Sequence, residues 1–186
     1  MQLLAQFLLR LAFGLAVGMG ITSSRRVESR FFRTHVYVVL GLATLAALAL
    51  AKRDSGGVWL AASTAALSFF GAAFWLYEMP RAGKITLWLI AACALASAIT
   101  AHSESTLLHW SGACNALAIV SSGLALGLVF AAMLLGHWYV NASGMSLKPL
   151  RRLLLAAALA VTAQGALRAA GVVNTLPIQP GPTSTW

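Results

Sequence analysis

Arg10 and Arg168 each fall inside a long apolar run of this chain. All four acids, Glu28, Asp54, Glu78 and Glu104, lie between such runs. A guanidinium at membrane depth needs an anion, a carbonyl or water. The sequence offers these two no carboxylate at their own depth, so either they snorkel to the headgroups or something outside the chain answers them. Gln164 precedes Arg168 by four residues, which puts both on one helix face. Asn115 enters a third apolar run from the same side. If the first, fifth and sixth runs pack together, Arg10, Asn115, Gln164 and Arg168 form an intramembrane polar cluster. Such a cluster could take a lipid headgroup, a haem propionate, a quinone carbonyl or an acidic side chain of a neighbouring subunit. It could also pass a small anionic solute.

The histidines suggest a different chemistry. A b-type haem takes two axial nitrogens from facing helices at matched depth, and His35 with His137 is the pair that fits. Both lie at the ends of their runs, where they could instead meet a quinone. His102 and His109 flank a loop without a third or fourth metal ligand nearby, so no metal site is assigned. Cys93 and Cys114 stand alone in apolar runs, without the spacing of a disulfide framework or of covalent c-type haem. Trp138 and Tyr139, beside His137, read as an interfacial anchor.

Catalytic material is scarce. There is no GxSxG, no HExxH, no paired carboxylates and no phosphate loop. Ser63, Thr64, Ser68, Ser121 and Ser122 are expected to bond the preceding helical turn or a neighbouring helix. Asn141-Ala-Ser matches a glycosylation sequon but falls in a loop assigned to the cytoplasm. A proton pump normally carries an intramembrane acid, and this chain has none in its apolar runs. The expectation is a protein that is not an enzyme.

Composition sets what must position these residues. Of 186 residues, 60% are hydrophobic and only 9% charged, so the chain belongs to the integral membrane class. A span takes roughly 20 apolar residues, and six are predicted at about 2–22, 35–51, 57–77, 85–102, 113–136 and 151–172. They leave short loops and no soluble domain. The first run lacks the early Lys or Arg of a signal peptide and reads as a span. Residues 1–173 thus form one polytopic helical domain, and 174–186, with three prolines, an extended tail. Pro149 suits the first turn of the sixth helix, with Ser146 near as a cap.

Nine Lys and Arg follow spans one, three and five, and two follow spans two and four. The positive-inside rule then places both termini on the outer, periplasmic side. The net charge of +9 reads as headgroup contact, not nucleic-acid binding. Gly14-x-x-x-Gly18 in span one and Gly123-x-x-x-Gly127 in span five would let helix backbones approach closely, within the chain or with a partner. No internal repeat of the transporter kind is present.

The expected fold is an all-α bundle of six transmembrane helices. The expected function is a non-catalytic accessory or scaffolding subunit of a larger bacterial inner-membrane complex, such as a respiratory or photosynthetic electron-transfer assembly. Its partners would be membrane lipids and other membrane subunits. Bound lipid or pigment would suit its Ala- and Gly-rich faces. The alternatives are a haem or quinone carrier using His35 and His137, and an anion transporter using Arg10, Gln164 and Arg168.

Overall fold

The computed structural model describes residues 1–24, 26–51, 57–103, 112–141 and 147–175, with 102–103, 112–115, 141 and 171–175 as backbone alone. The described residues form six helices and no strand: α1 (Gln2–Ile21), α2 (Ser29–Ala51), α3 (Gly57–Leu76), α4 (Pro80–Ser103), α5 (Gly112–Asn141) and α6 (Lys148–Thr175). All six are long and apolar enough to cross a membrane.

Several helices outrun their apolar segments. α2 begins six residues before the predicted span, α4 five before, and α5 continues through Asn141. α6 absorbs Asn174 and Thr175, leaving 176–186 of the expected tail outside the described residues. Hydropathy marks where side chains match hydrocarbon, but backbone hydrogen bonding carries a helix on into the polar interface. Arg30 and Arg33 are therefore helical, as are His137, Trp138 and Tyr139.

The connections close by local chemistry. Thr22 leaves α1 in an extended conformation, with its hydroxyl on the Gly18 carbonyl at 2.8 Å. Between α3 and α4 the Met79 N–H bonds the Phe74 carbonyl at 2.9 Å, and Glu78 takes φ 54°. This is a Schellman-type stop, with a glutamate in the left-handed position that glycine usually fills. Pro80 then opens α4, where its missing N–H costs nothing. Lys148 opens α6 with Pro149 second, while Ser146 lies outside the described residues.

α1 is the axis of the molecule. It packs on α2, α4 and α5, while α3 closes a four-helix group by packing on α2 and α4. α6 packs on α5 alone among the extensive interfaces. Burial follows: 72% of the apolar window of α1 is buried, against 11% for α6. Fully buried alanines, Ala12, Ala43, Ala46, Ala61, Ala94 and Ala98, keep the inner helices close. The end of the bundle holding the α1–α2 and α3–α4 turns is locked by aromatics. Phe32 stacks on Trp75 at 4.2 Å, Phe31 meets Phe32 edge-on at 5.5 Å, and Gly83 lies too close to the Trp75 ring to admit a Cβ. At the other end Gln2 and Gln6 donate to the Ala101 carbonyl, at 2.9 and 3.4 Å. That carbonyl belongs to the last turn of α4 and has no partner in its own helix.

Candidate functional site

Arg10, Gly14 and Gly18 follow one another at four-residue steps, so they share one stripe of α1. Gly123 and Gly127 form the matching stripe of α5. The structure sets the two stripes against each other. A Cβ on Gly14 would fall on the Gly123 carbonyl oxygen, and one on Gly127 would fall on the Gly14 backbone. One turn further, a Cβ on Gly18 would lie 2.8 Å from that of Ala131. No side chain separates the two backbones at this crossing.

That approach positions Arg10. Its carbonyl lies against Gly123, and its Nη1 donates to the Ser122 hydroxyl at 3.2 Å. Ser122 in turn donates to the Ile119 carbonyl of its own helix at 3.0 Å. The Arg10 Nε is buried and has no hydrogen-bond partner among the described residues. On the next residue of α5, Ser121 donates to the side-chain carbonyl of Gln164 on α6. Arg168, one turn beyond Gln164, is exposed, and its charge repels that of Arg10. The side chain of Asn115 lies outside the described residues.

The site is thus a seam across three helices with two like charges and no described counter-ion. The two described acids, Glu28 and Glu78, lie in the turns at the opposite end of the bundle. Arg10 is eight residues into a 20-residue helix, about 12 Å from one end. In a membrane-spanning α1, neither bulk water nor a headgroup would meet it at that depth without a bend in the side chain or a defect in the bilayer.

The two histidines of the candidate pair have different surroundings. His35 is 5% exposed, with Nδ1 donating to the Phe31 carbonyl at 2.5 Å and its ring on Phe31 at 4.1 Å. His137 is exposed on α5. The link between the two neighbourhoods is Phe31 against Trp138, ring centroids 5.8 Å apart, so aromatic side chains occupy the space between them. Trp138 is half-buried and turns inward, its enclosed Nε1 without a partner among the described residues, while Tyr139 is half-buried. His109 lies outside the described residues, as does the His102 side chain. Among the described residues no group of three or more His, Cys, Asp or Glu is gathered. Cys93 is half-buried and unpaired, and the Cys114 side chain is not described.

Ser122, the polar partner of Arg10, was identifiable in sequence only as a helix-bonding serine. Its position immediately before Gly123 is the available signal, since a residue beside a close-contact glycine lies near the crossing helix. Gln2 and Gln6 carry a similar signal, as amides in an otherwise apolar run. The serines and threonines of α3 bond their own helix, Ser63 to Trp59, Thr64 to Leu60 and Ser68 to Thr64, each at 2.8 Å. Comparison with protein-family models, curated proteins and solved structures gives no match to this chain, so any functional reading rests on its own geometry.

Proposed function

We propose that this protein is a non-catalytic accessory subunit of a larger bacterial inner-membrane assembly. In this reading it docks through its α5–α6 side, and the Arg10–Arg168 pair accepts a carboxylate from a neighbouring subunit. The observation that carries the reading is the charge repulsion between Arg10 and Arg168, with an Arg10 Nε that has no partner among the described residues. Among the described residues, charge repulsion and an unmet donor both oppose this arrangement, and one acidic side chain at the same depth would relieve the repulsion. The thinly covered α6 supplies an apolar face for such contact. The orientation belongs to the same proposal: the end bearing Arg26, Arg30, Arg33, Arg81, Lys84, Lys148, Arg151 and Arg152 faces the cytoplasm, and both termini face the periplasm.

The test is a gentle-detergent purification through a C-terminal tag, followed by mass spectrometry and visible absorption. The expected result is a stoichiometric membrane subunit that is lost from the Arg10→Met/Arg168→Leu double variant. A lone, colourless chain would overturn the subunit reading. A lone chain with a haem spectrum would move the function to the His35 neighbourhood.

A further inference from the structure

At the basic end, α1 finishes beside the start of α6, and a shallow cleft lies between them. Its lining is Ile21, Thr22, Ser23, Arg26, Pro149, Arg152 and Leu153. The cleft is a shallow depression that encloses only about 10 Å³, so a ligand would lie across it and not be enclosed. Its two charged walls come from different elements, Arg26 from the turn after α1 and Arg152 from the first turns of α6. Both arginines are exposed, and neither guanidinium makes an ion pair or hydrogen bond among the described residues. The Ser23 hydroxyl is likewise uncommitted there. The Thr22 hydroxyl is already spent on the Gly18 carbonyl, so Ser23 is the neutral donor.

The remaining lining is apolar. Leu153 and Pro149 are buried and form a floor, and Ile21 is 46% exposed at the last turn of a candidate span. We infer that this cleft binds one anionic phospholipid. The phosphodiester lies between the Arg26 and Arg152 guanidinium groups, with Ser23 donating to it, and an acyl chain descends over Ile21. Arginine forks suit phosphate oxygens in pairs. A polar rim above an apolar wall fits an amphiphile better than a free phosphate ion, which would leave the wall without a partner. Arg10 and Arg168 take no part in this site, so the inference stands apart from the subunit reading.

The experiment is native mass spectrometry of the full chain with phosphatidylglycerol, phosphatidylcholine or inorganic phosphate as the probe. One phosphatidylglycerol per chain should persist where phosphatidylcholine does not. In the Arg26→Gln/Arg152→Gln variant its retention should fall by about twenty-five-fold, from roughly a factor of five for each interfacial arginine. The Arg81→Gln/Lys84→Gln variant removes equal charge from the same end of the bundle but leaves the cleft intact, and should bind as the parent does. Equal losses in both double variants would overturn the inference in favour of diffuse charge attraction. Inorganic phosphate held as tightly as phosphatidylglycerol would also overturn it, leaving a soluble anion as the ligand. Should the glutamine pair misfold by circular dichroism, Arg26→Lys/Arg152→Lys keeps the charge and loses the fork. An intermediate loss in that variant supports the site, and unchanged retention counts against it.

Discussion

Among the described residues the Arg10 guanidinium holds one hydrogen bond, to Ser122, and its enclosed Nε has no partner. Removing a buried donor that has no acceptor relieves a cost of about 1–3 kcal/mol. Arg10→Met keeps the length of the side chain and should therefore raise the unfolding midpoint of the isolated chain in detergent. A lowered midpoint would show that the counter-charge lies within the polypeptide. Glu78 offers a second test. A non-glycine residue in the left-handed region costs roughly 1–2 kcal/mol, so Glu78→Gly should stabilise the α3–α4 turn, measured as a higher midpoint with no change in lipid or partner retention. The positions of Arg10, Gln164 and Arg168 on their helices could be read directly, because the i, i+4 rule fixes them within one helix. The role of Ser122 could not, since it depends on which helix crosses α5 and at what height.

Between helices, the α1–α5 seam is the strictest contact in the fold. Gly14→Ala and Gly127→Ala each drive a methyl into facing backbone, which cannot step aside as a side chain can. Overpacking of this kind costs about 1–3 kcal/mol or more, and the same shift would pull Arg10 away from Ser122. Gly41, Gly136 and Gly165 have open space where a Cβ would go. Alanine there should be neutral, or stabilising by up to about 1 kcal/mol through helix propensity. A thermal series across these five positions checks the assignment; equal effects at all five would refute a glycine-specific crossing. The small-residue spacing was visible in the sequence, but its partner was not. A glycine stripe permits close approach without specifying what approaches, so the same pattern serves a contact within the chain or with another subunit.

For the molecule as a whole, α1 is enclosed and α6 stands at the edge. A chain ending at residue 147 should keep the α1–α5 group folded, because α6 packs extensively only on α5. Protease resistance and circular dichroism of the truncated chain would show this, and wholesale unfolding would place α6 in the core. Orientation is tested separately. In a chain lacking Cys93 and Cys114, a cysteine at Ser24 should resist a membrane-impermeant maleimide added to intact spheroplasts and react after lysis.

Six apolar segments and the split of basic residues between the two sets of loops were determined by the sequence alone. Both are local properties: span length follows from composition, and charge placement from the loops themselves. Only the tertiary structure decided that α1 lies at the centre, that Gly14 meets Gly123 and Gly127, and that His35 is enclosed while His137 is exposed. Helices that are apolar nearly all round carry no polar face to mark their inner side. Their rotation and neighbours are therefore chosen by backbone approach and side-chain fit, which appear only once all six helices are packed.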